Sequence, residues 1–376
     1  MLTPRENLLK SLRHEMPEWV PIITLCDNYN RPVHLPQRFY QEWMERSNWQ
    51  ALSRHFDVEI MERVGAYTEV YHNVQHTISR EGDISIQRWE TPYGVITARH
   101  KEVRFNCGSA GEPDLVTSFP IEYPVKSVED YRAFAYILED CEYALDPEVV
   151  TRKVAEVGDR GIVTLSAPSS PLGMCVRAYT GVEHLAYAYH EHHSELCGLL
   201  EAIAESYYRC YRGLAELPGD ATINYDDTTT LAISPRMFRE LEVPFLHHTA
   251  EIVHAGGKAC IHHACGHIHD LLADLGETGI DGVDGPSLPP VGNTTVAEAR
   301  AGLGPEVLII PFTEEHAIRS GDPEVIRGSI RAMFEQASTP RNLIIDIVSP
   351  PAIPVENLWL AVDEAKRLAH DFPRAY

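Results

Sequence analysis

The chain has no long uncharged apolar run, no Lys/Arg tract and no CxxC pair. Without such an apolar run, nothing in it reads as a membrane span or as the core of a signal peptide. Without a basic tract, and with a formal charge of -23 from 55 acidic against 32 basic residues, neither nucleic acid nor an anionic membrane surface is an expected partner. The eight cysteines are scattered and have no secretory context, so they read as small buried hydrophobes and not as a disulfide framework. Repeats, low-complexity tracts and Gly/Ser linkers are missing too, so residues 1–376 are expected to form one domain. Together these absences point to a cytoplasmic protein.

What is present is a rhythm. Thr3, Pro4 and Glu6 supply a capping hydroxyl, a proline at the first helical position and a carboxylate at the third, ahead of NLLKSLRH. This predicts an N-terminal helix that closes the base of the fold. Eight short apolar, β-branched runs follow, at 20–26, 56–64, 161–167, 221–227, 258–265, 280–285, 307–312 and 342–348. Helix-period segments lie between most of them, so the strands are expected to be parallel and to close as a TIM-type (β/α)8 barrel of the α/β class. Residues 84–104 break the rhythm: they alternate apolar and polar residues around a Pro-Tyr-Gly turn, which predicts a β-hairpin inserted after the second strand.

In a barrel, chemistry belongs at the C-terminal ends of the strands. There the chain places Cys26 to Arg31, Asn224 to Asp227, His262 to Gly266, Phe312 to His316, and Asp346. Alternation along the fifth strand puts Ile261, His263 and Cys265 on one face and His262 on the other. His263 and Cys265 read either as a core histidine beside a buried thiol, or as imidazole and thiolate ligands of a zinc ion with an open position. His267 and His269 fall where a helix begins and read as capping or solvent-facing residues. Asp226 and Asp227 are neighbours, so without a bulge they cannot both serve one centre, and either is a candidate ligand or base. Asp346 sits inside LIIDIV, where a carboxylate is costly unless paired, metal-bound or protonated, so a functional role and a structural ion pair both fit.

The stretches TPRENLLKSLRHEMPEWVPI, ISPRMFRELEVPFLHHTAEIVHAGGKACIHHACG, LPPVGNTTVAEARAGLG and SPPAIPVENLWLAVDEAKRL resemble the uroporphyrinogen decarboxylase superfamily over nearly the whole chain. That resemblance implies a TIM barrel and two candidate branches: porphyrinogen decarboxylases, and zinc-dependent methyltransferases that act with corrinoids. The decarboxylases carry a basic Arg-Gln-Ala-Gly-Arg-Tyr element after the first strand. Here CDNYNRP stands in its place and leaves only Arg31 as a clamp for substrate carboxylates. The methyltransferases carry His-x-Cys-Gly, which His263-Ala264-Cys265-Gly266 matches, implying zinc at one ion per chain. Their third ligand, a cysteine, corresponds by its distance from Pro350, Pro351, Glu356 and Asn357 to Ile347 here. Asp227, Asp226, Asp346 and Glu314 are the candidates to replace it.

A carboxylate in that position makes the centre harder and a better Lewis acid toward oxygen. The expectation is therefore a zinc-dependent methyltransferase that takes methyl from a small methylated donor, such as an aromatic methyl ether, and passes it to the cob(I)alamin of a partner corrinoid protein. Candidate catalytic residues are Asp227, Asp226 and Tyr225, and candidate substrate contacts are Tyr29, Arg31, Tyr67 and Met174. The competing readings are a metal-free decarboxylase of a small acid, using Arg31 and a strand-end aspartate, and a non-catalytic barrel that binds the corrinoid partner. A homo-oligomer is left open.

Overall fold

Residues 2–25, 48–105 and 115–372 are described by a computed structural model, and the fold follows from where their apolar runs pair. Eight strands form the barrel: β1 (Ile22–Leu25), β2 (Ile60–Gly65), β9 (Gly161–Ser166), β10 (Ala221–Asp226), β11 (Ala259–Ala264), β12 (Gly282–Asp284), β13 (Leu308–Ile310) and β14 (Ile345–Val348). Each lies within one of the eight expected runs or extends it by a single residue. Six pair in parallel in the order β13-β12-β11-β10-β9-β2, and β1 pairs in parallel with β14. The ring is completed by a hydrogen bond from the Glu59 amide to the Ile22 carbonyl at 3.0 Å, and by parallel bridges from Ile309 to Leu343 and from Phe312 to Asp346. Strands buried on both faces are apolar at most positions, which is why these segments were visible as near-continuous runs.

The opening helix, Pro4–Leu12, begins with the expected reciprocal cap: the Glu6 amide donates to Thr3 Oγ1 at 3.2 Å, and the Thr3 amide donates to the Glu6 carboxylate at 2.7 Å. Leu8 and Leu12 reach into the base of the barrel. There they join inward residues of six strands, Ile23, Met61, Ile162, Ile223, Ile261 and Ile310, and Ile344 just before β14. Opposite Ile261, β12 contributes Gly282. Arg5 holds the helix in place through a bidentate pair with Asp220, at 2.9 and 2.6 Å. Leu8 is fully buried. Leu8→Ala is expected to lower the unfolding free energy by about 2–5 kcal/mol in denaturant titration. A loss below about 1 kcal/mol would show that the helix does not plug the barrel.

Between β2 and β9 the insertion is larger than the expected hairpin. The hairpin itself is there, as β5 (Ile84–Thr91) and β6 (Gly94–Phe105), turning at Gly94 with φ +140°, a backbone angle open to glycine. Flanking it, β4 (Gln75–Glu81) and β7 (Leu115–Glu122) complete a four-stranded antiparallel sheet, while β3 (Tyr67–Tyr71) pairs antiparallel with β8 (Cys141–Leu145). β4 is almost entirely exposed, so it carries no alternation for a sequence reading to detect. The helix Tyr131–Asp140 packs against this sheet, with Phe134, Ile137 and Leu138 buried.

Candidate active site at the barrel mouth

Two residues above the isoleucine layer, the inward positions change character. Arg63 of β2, Tyr225 of β10, His263 of β11, Asp284 of β12 and Asp346 of β14 share the interior, with Phe312 beyond β13. His263 and Asp284 stand in register on adjacent strands, and Nδ1 of the imidazole lies 2.6 Å from the Asp284 carboxylate. From across the barrel, Arg63 donates to both oxygens of Asp284 at 3.2 Å and lies 3.9 Å from Asp346. Its guanidinium also lies over the Tyr225 ring at 5.3 Å. Both carboxylates are inaccessible to solvent.

The charges set one another. Burial works against ionisation of Asp284, but Arg63 and His263 overcome it and hold its pKa below the ordinary value. Asp346 is pushed up to about 7 by burial and by the neighbouring Asp284 charge, which Arg63 only partly offsets. Burial also disfavours protonation of His263, yet Asp284 and Cys265 outweigh it and raise the ring to about 10.

At the end of β11 the chain turns, and Cys265 approaches both His263 and Asp227. Its sulfur lies 3.7 Å from Asp227 Oδ1. Asp227 follows the last residue of β10, is exposed, and has Arg177 3.7 Å from its other oxygen. Arg177 is itself fixed by the Tyr225 carbonyl at 2.9 Å and Ser169 Oγ at 2.8 Å. Beside them opens a cavity of about 380 Å³ whose walls include Tyr67, Met174, Tyr225 and Arg177. Two of the substrate contacts singled out in the sequence, Tyr67 and Met174, therefore meet around one space with the catalytic candidate Tyr225. Tyr29 and Arg31, the other two proposed contacts, lie outside the described residues.

Asp226 goes elsewhere. It points outward from the barrel wall, where its carboxylate accepts the Ser170 amide at 3.2 and 3.0 Å and lies 3.8 Å from His262 Nδ1. With Glu242 and His262 it forms a cluster of potential metal donors all within 4.8 Å of one another, and each residue is 1% exposed. A Cβ on Gly173 would fall 2.2 Å from Asp226 Oδ1, so only glycine allows this approach. Burial raises Asp226 to about 6 and Glu242 well above its ordinary value, and it depresses His262 to about 3. His262 is engaged at both nitrogens, by Asn224 at 3.0 Å and Thr228 at 3.2 Å.

One further candidate, Glu314, and the position of the absent cysteine, Ile347, prove structural. Glu314 caps the helix Glu315–Ser320, its oxygens accepting the His316 and Ala317 amides at 2.7 and 2.6 Å. Ile347 is fully buried in the layer between strands and helices, so its side chain points away from His263, and Asp346 is the inward residue of β14. Sequence reasoning missed Arg63, Asp284, Glu242 and Arg177. Arg63 and Asp284 did leave a signal, since each is a charge inside an apolar strand run. Glu242 left none.

A parallel eight-stranded barrel with a polar cluster at its mouth is the architecture of a TIM-barrel enzyme site. The family model described as uroporphyrinogen decarboxylase (URO-D) matches residues 120–368, and the chain belongs to that family. Among solved structures, a methyltransferase from Methanosarcina mazei is similar over 98% of this chain and 99% of its own, at 14% identity and a TM-score of 0.61, a likeness of fold. A B12-independent methionine synthase from Shewanella sp. W3-18-1, solved with selenomethionine, is similar over 69% of this chain and 72% of its own, at 10% identity and a TM-score of 0.42. No curated protein matches the chain.

Proposed function

We propose that this member of the family is a zinc-dependent methyltransferase, moving methyl from a small methylated donor to the cob(I)alamin of a partner corrinoid protein. The reading rests chiefly on Cys265, which contacts His263 on one side and Asp227 on the other beside a tyrosine-lined cavity at the barrel mouth. The fold shared with the Methanosarcina mazei methyltransferase supports it. Imidazole, thiolate and carboxylate together suit a borderline-soft ion, and the exposure of Asp227 leaves a side open to substrate. Asp284 takes Nδ1 of His263, which fixes the ring and leaves Nε2 as the ligating nitrogen. Zinc held there supplies Lewis acidity toward the atom that the methyl group leaves.

The chain's own residues do the rest. Tyr225 and Phe312, with ring centroids 5.7 and 5.6 Å from that of His263, pack the imidazole and exclude water from it. Arg177, anchored on the Tyr225 carbonyl, balances the charge of Asp227. Tyr67, Met174 and Tyr225 give the cavity apolar faces, which suit the ring of an aromatic methyl ether, the donor class proposed here.

Purified protein mixed with cob(I)alamin and a methoxyarene is expected to form methylcobalamin, read from the corrinoid absorbance. Release of CO₂ from a small acid without methyl transfer would favour the decarboxylase, and a corrinoid-protein complex without turnover would favour the binding barrel.

A further inference from the structure

Next to the mouth cavity lies a second one of about 250 Å³, partly open to solvent and lined by the inserted sheet and the helix Tyr131–Asp140. The two share Glu69, Tyr143, Met174 and Tyr179 in their walls, so they adjoin. The second cavity is walled by Tyr71, Trp89, Phe134, Tyr143 and Tyr179, and among the described residues its lining contains one carboxylate, Glu69, one imidazole, His100, and no lysine or arginine. Tyr71 donates its hydroxyl to Glu69 Oε2 at 2.8 Å, and among the described residues no lysine or arginine pairs with Glu69.

A carboxylate set among aromatic faces without a cationic partner is complementary to an organic cation. Ring faces carry partial negative charge and attract a diffuse ammonium, while the carboxylate contributes a full opposite charge. Hard divalent ions are poorly served here, because they require several oxygen ligands and this wall offers one carboxylate and one amide, Gln87, among aromatic rings, an imidazole, a thioether and a thiol. Inorganic anions and carboxylate donors are repelled by Glu69. The strongly acidic chain also favours the approach of cations from solution.

We propose that this cavity is an ammonium subsite, holding a methylated ammonium group of the aromatic methyl ether donor while the ether methyl to be transferred lies in the adjoining mouth. The assignment of the occupant as the donor rests on the methyltransferase reading, whereas cation binding by the cavity does not. Specificity for a cationic donor then arises in the insertion, and the barrel supplies the site of transfer.

The test is calorimetric titration of the full chain with choline and with its neutral isostere 3,3-dimethyl-1-butanol, in wild type and Glu69→Gln. Choline is expected to bind at least about tenfold more tightly than the isostere, and Glu69→Gln to remove most of that preference while leaving isostere binding unchanged. Equal binding of the two probes by wild type, or an unchanged preference in Glu69→Gln, would overturn the subsite. Tyr71→Phe serves as the second variant: it frees the carboxylate without removing the charge and is expected to retain the preference. Choline binding without any methyl transfer in the cob(I)alamin assay would retain the cation site and remove its assignment to a methyl donor. Methyl transfer from neutral methoxyarenes without a choline preference would do the reverse, keeping the methyltransferase and refuting the subsite.

Discussion

Cys265→Ala is expected to lower bound zinc from about one ion per chain to below about a tenth, measured by elemental mass spectrometry on zinc-supplemented protein. The half-buried position of Cys265 in a turn means that the variant should fold, which circular dichroism and thermal unfolding would check. Asp284→Asn should weaken zinc binding by about 10–100-fold while the three proposed ligands remain, because it removes the group that orients His263. Glu242→Gln is the discriminating control, since it alters the wall cluster of Asp226, Glu242 and His262 and leaves the mouth intact. If zinc persists in Cys265→Ala and is lost in Glu242→Gln, the metal belongs to the wall and the proposed centre is wrong. Full zinc in both variants would exclude both donor sets.

The second large effect is expected at Arg63. Its guanidinium bridges Asp284 and Asp346, all three inside the barrel and out of solvent. Arg63→Met keeps much of the side-chain volume but leaves two buried carboxylates facing each other with only His263 to balance them. A loss of about 3–5 kcal/mol in unfolding free energy is expected, the usual consequence of removing one partner from a buried ion pair. Adding Asp346→Asn to that variant should recover part of the loss, because one uncompensated charge disappears. A denaturant midpoint for Arg63→Met close to that of wild type would show that the cluster is neutralised by protonation and does not depend on the arginine.

Much of this molecule was legible before any coordinates. A barrel strand buried on both faces is mostly apolar, so all eight runs stood out, and the period of two along β11 separated His263 from His262. The same period separated Asp226 from Asp227, which the fold sends to the outside of the wall and to the mouth respectively. The opening cap was readable because it depends on three residues of one short segment. The inserted sheet was visible only as its central hairpin, because the outer strands are largely exposed and their pattern is under little constraint from burial.

The sequence by itself determined the strands, their inward and outward faces, the capped helix at the base and the pairing of His263 with Cys265, all local properties of backbone period and side-chain polarity. Only the tertiary structure decided which charges meet. Arg63 and Asp284 are 221 residues apart and touch because the barrel closes around them. Glu242 reaches Asp226 and His262 because a helix packs on the wall, and Glu69 lines the aromatic cavity because the insertion packs beside the mouth. Such contacts are set by ring closure and packing between distant segments, and no periodicity within one segment encodes them.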